Sequence, residues 1–115
     1  MTTRNSRDLL YGSVDMLVLR TLTWDAMHGY AIASWIERQT KGVLTIEDAA
    51  LYKALHRLER QELVAGEWGT TAENRRAKFY RITTAGRRAL RAETAAWRSY
   101  ADAVQKMLDP AAEGA

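Results

Sequence analysis

Residues 45–61 read Thr45-Ile46-Glu47-Asp48-Ala49-Ala50-Leu51-Tyr52-Lys53-Ala54-Leu55-His56-Arg57-Leu58-Glu59-Arg60-Gln61, and their spacing frames the rest of the chain. At about 100° per residue, Leu51, Leu55 and Leu58 fall on one narrow face with Ala54 at its edge, so the segment is an amphipathic helix with its leucines in a core. The opposite face collects Ala49, Lys53, His56, Arg57 and Arg60, with Tyr52 on the flank. That face is basic and opens on a small residue, a shape that can approach a groove closely. Thr45 and Asp48 form a capping-box-like start ahead of the periodic run, so the helix is predicted over 46–61.

Upstream, Val14, Leu17, Val18 and Leu22 recur at helical spacing after Ser13, a suitable N-cap, with Asp15 in the first turn where the helix dipole favours negative charge. Met27, His28 and Gly29 predict a turn, in which the His28 side chain is expected to hydrogen-bond. Ile32, Trp35 and Ile36 then form a second apolar stripe ending near Gly42. Downstream, 63–69 and 78–83 are short, rich in β-branched and aromatic residues, and separated by a polar loop through Thr70, Thr71, Glu73, Asn74 and Arg75. They predict a hairpin with Tyr80 and Ile82 packed on the helices, Phe79 and Arg81 on the other face, and Arg75 and Arg76 at the tip. A last helix follows Thr83 and runs to about Leu108. Along it Leu90, Thr94, Trp97, Ala101, Val104 and Leu108 form the heptad seam of a helix that packs on another helix. So long a helix has little of a 115-residue protomer to lie against. The seam is therefore expected to meet a second copy of the chain, with part of it packing back onto the first helix.

The chain carries 17 Lys and Arg against 14 Asp and Glu, a net charge of only +3, so distribution matters more than total. Arg75, Arg76, Lys78, Arg81, Arg87, Arg88 and Arg91 follow one another between Glu73 and Glu93 with no acid among them, a concentration of positive potential that suits a polyanion. With no cysteine there is no disulfide framework, thiolate metal site or Cys nucleophile. His28 and His56 lie far apart, and neither has a second ligand at metal spacing. No phosphate loop, nucleophile elbow or paired-carboxylate motif is present, so neither catalysis nor a cofactor or metal is expected. The first thirty residues lack a signal-peptide pattern, and no stretch approaches the roughly 18 apolar residues of a membrane span, so a soluble cytoplasmic protein is expected.

Three helices, a hairpin with a basic tip and a long final helix give a mainly α (α+β) fold, the order of a winged helix-turn-helix. The chain resembles the PadR-like family of bacterial transcriptional regulators, in particular its short members with a single helix after the wing. The resemblance runs from Leu10 to Leu108. It rests on Met27-His28-Gly29-Tyr30, on Leu51-Tyr52-Lys53-Ala54-Leu55-His56-Arg57-Leu58-Glu59, and on Lys78-Phe79-Tyr80-Arg81-Ile82-Thr83-Thr84-Ala85-Gly86 leading into the last helix. Lys53 stands where the family usually has Pro, and Glu62 where it usually has Gly. The first departure adds a cation to the expected DNA surface; the second raises a question about the turn after the third helix.

The expected organisation is a winged-helix DNA-binding domain at 1–83 and a dimerisation helix with its tail at 84–115. The expected partners are double-stranded DNA and a second copy of the chain. A homodimer would place two copies of the third helix in successive major grooves of a pseudo-palindromic site, most simply to repress. Lys53, His56, Arg57 and Arg60 are the residues offered to the bases and backbone, with Arg57 and Arg60 also able to pair with nearby acids. Tyr52 reaches a phosphate or base by the resemblance, or packs beside the apolar stripe. Arg75, Arg76 and Lys78 are the wing contacts, setting affinity and salt dependence. The dimer seam is Leu90, Thr94, Trp97, Ala101, Val104 and Leu108. The resemblance also makes Trp97 a place where a planar aromatic effector stacks, packing at the interface without a ligand being its other role, and Tyr11 and Tyr100 could join either arrangement. Trp68 is open to the same two roles. A winged helix that binds protein is an alternative, which the basic outer face disfavours, and one that binds RNA is another, for which the expected single-strand stacking platforms are not evident.

Overall fold

The computed structural model describes residues 13–109. The elements in chain order are α1 (Val14–Thr21), β1 (Met27–His28), α2 (Gly29–Gln39), α3 (Asp48–Arg60), β2 (Val64–Thr70), β3 (Arg76–Ile82) and α4 (Thr84–Leu108). The three helices and the start of α4 close over one core in which Val14, Val18, Leu19 and Leu22 of the first helical segment meet Ile32, Ile36, Leu51, Leu55, Leu58, Val64, Ile82 and Leu90. Along α1 it is Leu19 that enters the core, while Leu17 is only half-buried and turns toward α4. As the spacing required, Leu51, Ala54, Leu55 and Leu58 are all buried.

The start of α3 differs from expectation. Glu47 rather than Thr45 stands at the N-cap, its carbonyl accepting from the Leu51 N–H. Ile46, expected inside the helix, instead precedes it and is buried in the core.

The C-terminal ends of α2 and α3 are both closed by Schellman geometry without glycine at the left-handed position. After α3 the Leu63 N–H donates to the Leu58 carbonyl and the Glu62 N–H to that of Glu59, with Glu62 at φ 60°. After α2 the Gly42 N–H donates to Glu37 and the Lys41 N–H to Arg38, with Lys41 at φ 53°. Glu62 thus adopts the conformation for which glycine is suited.

The sheet has three strands, ordered β1-β3-β2 and all antiparallel. The segment expected as a plain turn, Met27–His28, is a two-residue strand that pairs with Tyr80 and Phe79 and so covers the outer edge of β3. Two residues are too few to carry a period in sequence. The wing strands run further than expected, Thr70 opposing Arg76, so Arg76 belongs to a strand and Arg75 alone to the loop. Asn74, at φ 63°, closes that loop, with its N–H and that of Arg75 both bonded to Thr71. Tyr80 and Ile82 face the core as anticipated.

Thr83 ties wing, turn and last helix together. Its hydroxyl accepts from the Gly86 N–H as the cap of α4 and reaches the carbonyls of Glu62 and Leu63. The chain crosses so closely there that a Cβ on Gly86 would overlap the Leu63 carbonyl oxygen. Two outcomes follow for thermal or urea unfolding. Gly86→Ala destabilises by about 2–3 kcal/mol, because a backbone oxygen cannot step aside as a side chain would. Glu62→Gly is neutral or stabilising by up to about 1 kcal/mol, since it relieves a left-handed residue while adding freedom to the unfolded chain.

Candidate nucleic-acid interface

Burying its leucine stripe obliges α3 to present Lys53, His56 and Arg60 outward, and all three are exposed. Tyr52 lies on the flank toward the wing. Its ring crosses the start of α2 so closely that a Cβ on Gly29 would sit 2.7 Å from the phenol oxygen. Glycine at 29 therefore lets Tyr52 lie flat against the N-terminus of α2, which His28 caps by accepting from the Ala31 N–H through Nδ1 at 3.3 Å. The His28 ring meets Phe79 edge-on at 5.4 Å, fixing the helix start to β3.

Tyr52, His28, Gly29 and Tyr30 form one wall of a cleft of about 590 Å³ whose other wall is the wing: Trp68, Arg75, Arg76, Lys78 and Tyr80. The structure so brings the edge of α3 and all three wing cations to one place. Arg76 lies over the Trp68 indole, 4.8 Å from its centre, a cation–π contact between the two strands of the wing. Neither Trp68 nor Tyr30 was assigned to this surface by sequence reasoning. The register would have placed Trp68, since it opposes Lys78 and is diagonal to Arg76 on the same face.

Two of the expected contact residues are engaged within the chain. Arg57 makes a two-pronged bond to Asp15 of α1, Nη2 to Oδ1 at 2.6 Å and Nε to Oδ2 at 3.2 Å. The hydrogen bond to this carboxylate holds the guanidinium pKa above its ordinary value. Lys78 reaches back from β3 to Glu59 of α3 at 2.9 Å. Gly66 makes room, for a Cβ there would run into the Lys78 stem and lie 3.0 Å from the Glu59 carboxylate. The two pairs flank α3, one to the first helix and one to the wing.

On the far side, α4 lies along α1 through its first half. Leu90, expected in the seam, is buried in the protomer's own core. Thr94 and Trp97, with Arg91, Ala95 and Arg98, face Met16, Leu17 and Arg20 across a second cleft of about 570 Å³. Trp97 is 51% exposed, and Tyr100, Met107 and Leu108 are more so. Ala101 and Val104 are half-buried. Tyr11 and the tail residues Arg4 and Arg7 lie outside the described residues. Among the described residues no cluster of His, Cys, Asp or Glu could hold a metal ion, and no helix is long and apolar enough to cross a membrane.

Three helices followed by a wing whose cations share a cleft with the third helix define a winged helix-turn-helix protein. Within that class the chain belongs to the PadR-like family of transcriptional regulators, whose family model matches residues 18–92, and it is thereby a transcriptional regulator and not an enzyme. It is similar to a PadR family regulator from Eggerthella lenta, with a TM-score of 0.77 at 35% identity over 90% of this chain and 88% of that one. A transcriptional regulator from Clostridium thermocellum gives a TM-score of 0.79 at 27% identity, over 86% and 96% of the two chains. The fold also matches Bacillus subtilis PadR, solved in complex with operator DNA, with a TM-score of 0.63 at 17% identity. That match spans 70% of this chain and 46% of the Bacillus protein.

The Glu59–Lys78 pair has a testable signature in pH. The bond to Glu59 raises the Lys78 pKa, so the stability the pair adds is present below the ordinary lysine value of 10.5 and is lost as pH rises through the folded value. Glu59→Gln is expected to return the Lys78 ammonium toward the ordinary value in a side-chain NMR titration. Because the pair is partly solvated, that change costs under about 1 kcal/mol at neutral pH.

Proposed function

We propose that this regulator is a homodimeric, sequence-specific DNA-binding repressor acting in the cytoplasm. In each protomer α3 enters the major groove, with Lys53, His56 and Arg60 toward base edges and phosphates. Arg75 and Arg76 of the wing grip the backbone beside it, and Tyr52 reaches a phosphate from the cleft wall. The observation that carries this reading is the cleft itself, in which the edge of a basic-faced helix and the wing's cations converge. The operator complex of the Bacillus relative supports it.

Support for a dimer comes from α4, which continues past Trp97 with Tyr100, Val104, Met107 and Leu108 on a helix of 25 residues. Side chains of that kind in a row are stabilised when a second helix covers them. The two reading helices would then lie about 34 Å apart, one turn of the duplex. A planar aromatic effector is proposed beside Trp97, whose indole lines the α1–α4 cleft and offers a stacking surface. Its binding would alter the separation of the two reading heads and relieve repression.

The test is selection of duplexes from a randomised pool, followed by fluorescence anisotropy over a range of salt. Wild-type protein is expected to enrich a two-fold-related site. Lys53→Ala should lower affinity for the selected site by about 1–3 kcal/mol and relax discrimination at one position per half-site. Arg75→Ala and Arg76→Ala should weaken selected and random duplexes alike and reduce the salt slope by about 1 for each phosphate no longer neutralised. Sedimentation giving a monomer at micromolar concentration, or enrichment of no sequence at all, would refute the proposal.

A further inference from the structure

Arg57 projects from the reading helix, and by charge and position it belongs with Lys53, His56 and Arg60. Its partner decides otherwise. The guanidinium fork meets both oxygens of Asp15, a residue 42 positions earlier, on the flank of α3 turned away from the wing. Asp15 sits in the first turn of α1, and the next residues of that helix, Met16 and Leu17, bear on the α4 side. On the wing-side flank Glu59 holds Lys78. Packing of the buried Leu51, Ala54, Leu55 and Leu58 seats α3 in the core, and polar contacts on its flanks refine its roll. Two ion pairs on opposite flanks add directional contacts that bias this roll, and base readout needs side chains placed to within about half an ångström.

We infer that Arg57 is a positioning residue, which acts on DNA recognition through Asp15 by fixing the roll of α3 against α1. It does not act by touching the duplex. The inference rests on the proposal that the outer face of α3 lies against DNA. It concerns how the face is aimed, which that proposal leaves open. A fork bonded at two points suits the role, since it defines an orientation where a lysine would define only a distance.

The two roles for Arg57 predict opposite signs. With its side chain 45% exposed and that of Asp15 33% exposed, removal of the acid would leave a cation within reach of solvent and of any phosphate nearby. If Arg57 were a DNA contact restrained by Asp15, Asp15→Asn would tighten binding. If Arg57 is a positioning residue, the same substitution weakens binding although it makes the protein more positive.

The experiment measures Asp15→Asn, Arg57→Gln, their double variant and Arg57→Lys. Each is titrated by anisotropy against the duplex enriched by wild-type protein and against a scrambled duplex, across a range of salt. Each single variant is expected to bind the enriched duplex about three- to tenfold more weakly, and the double variant no worse than either single one, because both remove the same link. Affinity for the scrambled duplex and the slope against log salt should stay as in wild type, since the same phosphates remain neutralised. Arg57→Lys should recover part of the discrimination. Circular dichroism melts identify any variant that fails to fold, and in that case the other single variant carries the comparison. Tighter binding by Asp15→Asn, a lowered salt slope for Arg57→Gln, or additive effects in the double variant would each overturn the inference. A wild-type protein that enriches no sequence would instead remove the reading of α3 on which it stands.

Discussion

Burial of the leucine stripe of α3 is the constraint on which the other features depend. Leu51, Ala54, Leu55 and Leu58 are each at most 1% exposed, and they meet residues from α1, α2, β2, β3 and the start of α4. A helix has one period, so committing these four positions inward commits Lys53, His56 and Arg60 outward. The surface chemistry of the third helix is in this sense a consequence of its core. The chain before and after is arranged to keep that helix in place: Ile46 is drawn into the core just ahead of it, and the Schellman turn through Glu62 returns the chain toward β2 just behind it.

The charges divide by what lies beside them. Those at the outermost part of α3 face solvent, whereas Arg57 and Lys78 are joined to acids on neighbouring elements. Each bridge connects α3 to a different body, Asp15 to the first helix and Lys78 to the wing. Because α1 also forms one wall of the cleft that contains Trp97, it touches both the reading helix and the long last helix. The wing is built with equal economy: Gly66 admits the Lys78 stem, Gly69 admits the Phe79 ring, and Trp68 supports Arg76.

Much of this architecture was legible from periodicity and punctuation. The four helices, the hairpin, the inward faces of α3 and β3 and the exposed cations of α3 all follow from local spacing, and the order of the elements pointed to the winged helix. The misses share a cause. β1 is two residues long and exists only because β3 has an edge to pair with. Ile46 looked like the first helical residue, yet it is placed by what packs against it and not by its neighbours in sequence. Leu90 reads as the start of a seam between two copies and is instead in the protomer's own core.

By itself, the sequence determined which residues lie on which face of each element, since the periods of helix and strand are properties of the local backbone. From that followed the winged-helix order and the basic outer face of the third helix. Only the tertiary structure decided which cations are bonded within the chain: Asp15 and Arg57 are 42 residues apart, and a pairing across such a distance depends on how α1 crosses α3, which no local pattern encodes. The same holds for the cleft, whose walls come from α2, α3 and the wing and which exists only once those elements have packed.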